Sequence, residues 1–188
     1  VRGQAMKINA DLTKRAEVHT PDMEWVPSPE PGVLRRMLDR DGGEVARSTT
    51  VVRFEPGAWF PEHIHGGGEG FLVLDGVFSD EDGDYPAGTY VRHPVGTSHS
   101  AWRDEGWEIL VKLMQMDPAD SKKVVLDTDA LDWQPGPETG VDIKPLHEFG
   151  DEKVMLMRIL AGTRIARHRH EAGTELFVPD GILADQDG

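Results

Sequence analysis

The chain has 188 residues, 34 Asp and Glu against 20 Lys and Arg, a formal net charge of −14 and no cysteine. That length is ample for one large core or two small ones. The charge argues against a nucleic-acid partner and an anionic membrane surface, and the lack of cysteine removes disulfides, thiolate metal sites and cysteine nucleophiles. No run approaches the ~18 apolar residues of a spanning helix; the longest are stretches such as Phe71-Leu72-Val73-Leu74. No basic-then-apolar leader opens the sequence, so the expected address is the cytoplasm. The 21 glycines and 13 prolines suit an all-β chain of short strands and turns. Its chemistry must then run on histidines, carboxylates, hydroxyls or a bound ion.

Val1–Ala5 precede Met6 and read as an added leader outside the fold. From Lys7 to about Val33 the chain is polar and punctuated by Pro21, Pro27, Pro29 and Pro31, which predicts a loose N-terminal arm over residues 1–32. β-rich stretches follow at Ser48–Phe54, Gly70–Leu74, Tyr90–Arg92 and Trp107–Met114, separated by Gly, Pro and Asp clusters. In the last of them Ile109, Val111 and Leu113 alternate against Leu110, Lys112 and Met114. Only Ala119–Lys123 hints at a helical turn. These stretches define a first domain at 33–126. Asp127–Glu138 is rich in Asp, Pro and Gly and reads as a linker, taken as 127–140, ahead of a second domain at 141–188.

The chain repeats itself after that linker. Gly57-Ala-Trp-Phe-Pro-Glu-His63-Ile-His65 recurs as Gly162-Thr-Arg-Ile-Ala-Arg-His168-Arg-His170, and Leu74–Asp80 recurs as Pro179–Asp185. A constant offset of 105 residues relates His63 to His168, Gly76 to Gly181 and Gly83 to Gly188. Two copies of one β unit are therefore present, and the second has no counterpart to Asp84–Leu113. A half-barrel would leave unpaired edges and an exposed apolar face. The expectation is that residues beyond Gly188, or a second chain in a homodimer, cover it. The former is preferred because Gly188 matches the turn at Asp82-Gly83-Asp84, where cleavage and disorder concentrate.

Three of the eight histidines combine with one glutamate. His63 and His65 stand at i and i+2, which on a strand places both imidazoles on one face. Glu69 follows the Gly66-Gly67-Gly68 turn, and His99 follows Pro94-x-Gly96 on a later strand. Three imidazoles and a carboxylate converging inside a barrel suit a borderline divalent ion. An HxH pair alone is a weak signal and is commonly surface polarity. The spaced glutamate, the glycine turn and the PxGxxH run make it specific.

These residues resemble the cupins. Their first motif, G(X)5HXH(X)3–4E(X)6G, reads here as Gly57, His63, His65, Glu69 and Gly76. Their second, G(X)5PXG(X)2H(X)3N, reads as Gly88, Pro94, Gly96 and His99, with Arg103 in place of the asparagine. The wording between the motifs resembles the ChrR-type cupins, which include the C-terminal cupin of the zinc-binding anti-sigma factor ChrR. The resemblance spans nearly all of residues 33–188. It implies double-stranded β-helix barrels in tandem, the second incomplete in this chain, with metal held by His63, His65, Glu69 and His99. In that family sigma binding resides in a separate N-terminal helical module with its own His/Cys zinc site. This sequence has no cysteine and only about thirty polar residues before the cupin, so the regulatory label is not expected to transfer.

The second copy offers His168, His170 and Glu175 as ligands of a second site. Under the constant offset Thr174 matches Glu69, and Glu175 falls one place late, which on a strand turns its side chain to the other face. No fourth ligand is available in the sequence. His19, His93 and His147 read as structural or arm residues, with cavity lining the alternative for His93, and Trp59, Trp102 and Trp107 read as core or barrel wall. Arg92 is a candidate contact for an anionic substrate. The Asp80-Glu81-Asp82-Gly83-Asp84 turn lacks EF-hand spacing and reads as a solvated hairpin.

Four ligands can serve two ends. Zinc held by three histidines and one glutamate is complete, and would be structural or sensory. Iron, manganese or nickel would keep open positions for an enediolate or diketonate and for dioxygen. The expected cofactor is one divalent ion per complete site, with zinc and iron ahead of manganese and nickel. The expected function is an oxygenase-type reaction on a small diketone or enolisable carbonyl compound. The alternatives are a non-catalytic sensor resembling the ChrR cupin and a small-ligand binder.

Overall fold

The computed structural model describes residues 6–171 and 173–185. Val1–Ala5 and Gly188, which figured in the expectations above, lie outside the described residues. Among the described residues the chain is all strand and turn, apart from one 3-10 turn at Thr20–Asp22. No helix is long and apolar enough to cross a membrane.

The strands in chain order are β1 (Met6–Ile8), β2 (Val26–Pro27), β3 (Val33–Gly42), β4 (Ala46–Phe54), β5 (Trp59–Ile64), β6 (Glu69–Asp75), β7 (Val77–Asp80), β8 (Gly83–Pro86), β9 (Thr89–His93), β10 (Ser98–Trp102) and β11 (Trp107–Leu113). Then come β12 (Val124–Asp127), β13 (Gln134–Pro135), β14 (Val141–Phe149) and β15 (Glu152–Ile159). The main sheet runs β1-β3-β4-β11-β6-β9-β12, with β2 also on β3, and every pairing in it is antiparallel. β5 pairs with β10, and β7 pairs with β8. The sheets do not close into one continuous hydrogen-bonded barrel, yet they share a single core. Phe54, Phe71, Val91 and Trp107 come from the main sheet, Phe78 and Tyr85 from the β7–β8 hairpin, and Ala101 from β10.

Period-2 alternation explains that core. On β11, Trp107, Ile109 and Val111 are buried, while Glu108 and Leu110 between them are less so. Phe54 stacks on Trp107 with centroids 4.3 Å apart and planes at 8°. Gly76, at φ +71°, turns the chain from β6 into β7 where an added Cβ would meet the Gly106 carbonyl at 2.5 Å. Only glycine fits such a turn.

Three features differ from the sequence expectation. The polar arm is tied down rather than loose: β1 and β2 both pair with β3, and the Trp25 ring carries the guanidinium groups of Arg36 and Arg53 at 4.3 and 4.2 Å. At Ala119–Lys123 no helix forms. Asp117 Oδ1 accepts the Ala119 N–H and Asp120 Oδ1 accepts that of Lys122, so side chains capture the donors a helix would use. The region taken as a linker also contributes strands, with β12 added to the edge of the main sheet and β13 paired to β14.

The second repeat begins with the β14–β15 hairpin, which packs on the outer face of the first unit. Leu146, Val154 and Leu156 join Tyr90, Val124, Leu72 and Leu126 in a second core. Beneath it lies a polar tie. Arg92 donates from Nε and Nη2 to Asp120 Oδ2 at 3.1 and 2.8 Å, and from Nη1 and Nη2 to the Glu152 carboxylate at 2.9 and 2.7 Å. His147 Nε2 lies 2.7 Å from the same Asp120 oxygen. Residues 160–171 and 173–185 contain no strand. In the first repeat the corresponding segment forms strands that pair with β9, β10 and β11.

Candidate metal centre

His63 lies on β5, His99 on β10 directly opposite it, and Glu69 opens β6. His65 is the first residue past β5, fixed by its amide donating to the Thr97 carbonyl at 2.9 Å. The Gly66–Gly68 turn brings Glu69 back beneath these rings. A side chain on Gly67 would strike Met114 Cα at 2.7 Å, so the turn sits against the chain leaving β11.

The geometry centres on Glu69. Its Oε1 stands 3.6 Å from His65 Nε2 and 3.4 Å from His99 Nε2, and its Oε2 stands 3.8 Å from His63 Nε2. These gaps are long for hydrogen bonds. They match the ~3.4 Å between neighbouring donors held about 2.1 Å from a tetrahedral ion. Ligand atoms of His63, His65, Glu69 and His99 all lie within 4.8 Å of one another. His65 Nε2 is buried and has no hydrogen-bond partner. An orphaned imidazole nitrogen aimed at a carboxylate and flanked by two more imidazoles fits a divalent ion.

Hydrogen bonds leave these nitrogens bare. His63 Nδ1 lies 3.0 Å from the Pro61 carbonyl, which can only accept, so Nδ1 carries the proton. Thr97 gives its hydroxyl proton to the Pro94 carbonyl at 2.7 Å, so its oxygen accepts from His65 Nδ1 at 2.9 Å. The Nε2 lone pairs of both rings face the centre. Burial, with neighbouring imidazoles and against the pull of Glu69, pushes His65 down to about 4, so it is neutral at physiological pH. Burial also acts to lower His63, but the Glu69 carboxylate outweighs it and the ring is raised. Burial would raise Glu69, but the surrounding imidazoles hold it well below the ordinary carboxylate range. The walls are aromatic: Phe60 meets His63 edge-on at 4.9 Å, and Phe78 lies 5.5 Å from His99.

The second group of proposed ligands is arranged differently. His168 Nε2 and His170 Nε2 face each other at 2.8 Å, but both residues are exposed. Glu175 is ion-paired with Lys112 instead, and these three residues form no ligand group among the described residues. Arg92 does not face the site either; both ends of its guanidinium are occupied by Asp120 and Glu152. The same cation is ion-paired with both Asp120 and Glu152, and His147 lies against Asp120, so the Asp120, His147 and Glu152 cluster is an ion-pair network by its chemistry. Trp107 is core as expected, whereas Trp59 and Trp102 face each other across β5 and β10 and are 56% and 41% exposed.

Two further residues reach this site: His93, read from sequence as structural though able to line the cavity, and Asp80, read as part of a solvated hairpin. His93 pairs with Glu69 in the β6–β9 register and is buried, with Nδ1 at 3.7 Å from Glu69 Oε1. Asp80 belongs to the turn read as solvated, yet its side chain is buried against His99 and His93. A signal for Asp80 was present, since the second repeat keeps an aspartate, Asp185, at its position.

The model of the ChrR cupin-like domain matches residues 13–117 and again 121–188. The chain belongs to the ChrR cupin-like family. Among solved structures, this family member is similar to a candidate dioxygenase from Nostoc punctiforme, with 21% identity, a TM-score of 0.58, and coverage of 71% of this chain and 54% of that one. It is similar to ChrR in complex with SigE from Rhodobacter sphaeroides, with 25% identity, a TM-score of 0.42 and half of each chain covered. An acetylacetone dioxygenase from Acinetobacter johnsonii aligns at 16% identity and a TM-score of 0.45, over 60% of this chain and 85% of that one. The chain spans about half the length of the first two. No curated protein matches it. The likeness to the Nostoc structure establishes the cupin fold and nothing about substrate.

Proposed function

We propose that the first cupin unit binds one divalent ion, zinc or iron ahead of manganese or nickel, through His63, His65, Glu69 and His99. We propose further that it carries out an oxygenase-type reaction on a small diketone or similar enolisable carbonyl compound. The observation that supports this reading is the set of imidazole nitrogens gathered around one buried carboxylate, two of them bare by hydrogen bonding. When bound, iron, manganese or nickel would supply Lewis acidity and a path for electrons between a carbonyl compound and dioxygen, whereas zinc, which has no redox chemistry, would supply Lewis acidity alone.

The chain's own residues do the rest. A single carboxylate against a dication leaves a net positive centre, which favours an anionic enolate. Pro61 and Thr97 lock two rings before anything binds, so little reorganisation accompanies binding. Phe60 and Phe78 keep water from the inner side of the rings. The approach is past His63, whose side chain is 31% exposed while those of His65, Glu69 and His99 are 1%, 9% and 6% exposed.

That deep burial also favours a second reading, a closed four-ligand zinc site acting as a sensor without turnover. Metal analysis of protein purified without added metal, followed by oxygen uptake with small diketones such as acetylacetone, separates the two. Bound iron with oxygen consumption supports the enzyme. Stoichiometric zinc with no consumption supports the sensor, and no bound metal with none taken up on addition rejects both.

A further inference from the structure

We propose that Asp80 is a positioning residue that fixes the tautomer of His99 and so keeps His99 Nε2 available to a cation. This rests on the reading of the four residues as a cation site. His63 and His65 have their Nδ1 protons placed by Pro61 and Thr97. His99 Nδ1 has no such hydrogen bond; it is buried and without a partner. It faces Asp80 Oδ2 at 3.6 Å, and that oxygen is also buried and unpartnered. An orphaned donor and an orphaned acceptor therefore face each other at slightly more than hydrogen-bond distance.

The other half of the carboxylate explains why Oδ2 is left free. Asp80 Oδ1 accepts from the amide of Asp82 at 2.8 Å, the amide of Gly83 at 3.2 Å and the Tyr85 hydroxyl at 3.0 Å. These donors set the rotation of the carboxyl group and aim Oδ2 inward. The hairpin tip is fastened beside its target, because the Glu81 carboxylate accepts the amide of Ser100, the residue after His99, at 3.1 Å from each oxygen. A carboxylate behind a ligating imidazole sets which nitrogen carries the proton and raises the basicity of the other. His93 Nε2 stands 4.0 Å from the same oxygen and is the competing partner.

Asp80→Asn gives a directional test. Its amide oxygen should keep the three donors, which forces the NH2 group towards His99 Nδ1 and moves the ring proton to Nε2. In ion-free protein, nitrogen-15 NMR of the imidazoles should show His99 protonated at Nδ1 before substitution and at Nε2 after it. His63, His65 and the thermal unfolding of the ion-free protein should not change. Zinc affinity, measured by chelator competition, should fall about 10–100-fold. If the unsubstituted protein carries the His99 proton on Nε2, or if His93 changes tautomer and His99 does not, the proposal is overturned, and the first of these holds even should the variant not fold. Zinc binding within about twofold of the unsubstituted protein also overturns it, being well short of the usual loss at such a position. Failure of the unsubstituted protein to bind zinc at all would instead remove the four-ligand reading beneath it.

Discussion

Asp120→Ala should destabilise the protein strongly although Asp120 touches neither the core nor the candidate metal centre. Its side chain is 2% exposed and that of Arg92 is 3% exposed, so the substitution leaves a buried guanidinium with one carboxylate and His147 Nε2 without its partner. Breaking a buried pair from one side costs about 3–5 kcal/mol. Glu152 still holds Arg92 and is 34% exposed, which places the loss near the lower end, about 3 kcal/mol. At roughly 2–4 °C per kcal/mol for a chain of this size, melting should drop by about 6–12 °C, as read by circular dichroism or calorimetry. Burial raises Asp120, but His147, the Lys122 amide and Arg92 outweigh it, so its folded value lies below the ordinary 3.8. A lowered carboxylate contributes stability above its unfolded value and loses it as pH falls through its folded one. The gap between the two proteins should therefore persist at neutral pH and close only below about pH 4. Arg92→Met with Asp120→Ala should cost less than the two single substitutions added together. A loss under about 1 kcal/mol for Asp120→Ala would refute the reasoning, since that is the range of a solvated surface pair.

Other expectations concern the candidate metal centre and the core. His63→Ala and His99→Ala should each lower metal occupancy, measured by elemental analysis, while leaving the circular dichroism spectrum unchanged, because the core is built from other residues. Cation affinity, followed by chelator competition against pH, should fall as acidification protonates His63, beginning above 6.5 because that ring is raised, while His65, held near 4, stays neutral. Constant affinity from about pH 8 to 5 would contradict histidine ligation. Phe71→Ala, at a fully buried site, should cost about 3–5 kcal/mol in urea unfolding. Gly76→Ala should destabilise measurably in the same assay, because the Cβ meets backbone at a positive φ that an alanine rarely adopts.

The sequence by itself determined the all-β class, the repeat, and the grouping of His63, His65, Glu69 and His99. Those signals are local: alternation along a strand, glycine at a turn, and histidines two apart. The tertiary structure decided what depends on distant segments. Arg92 looks like a cavity-facing cation in sequence, but its partners Asp120 and Glu152 lie 28 and 60 residues away and turn it to the outer face of the sheet. The arm reads as loose because its prolines and polar residues suit a loop, yet backbone pairing with β3 depends on register and not on side-chain hydropathy. Glu175 looks like a ligand by spacing, but that segment forms no strand to aim it, and Lys112 from the first unit takes its charge. Asp80 reads as solvated because its neighbours Glu81, Asp82 and Asp84 are acidic and largely outward. The fold of the β7–β8 hairpin against β10 buries it, since the side chains of consecutive strand residues point to opposite faces and only one of those faces meets His99.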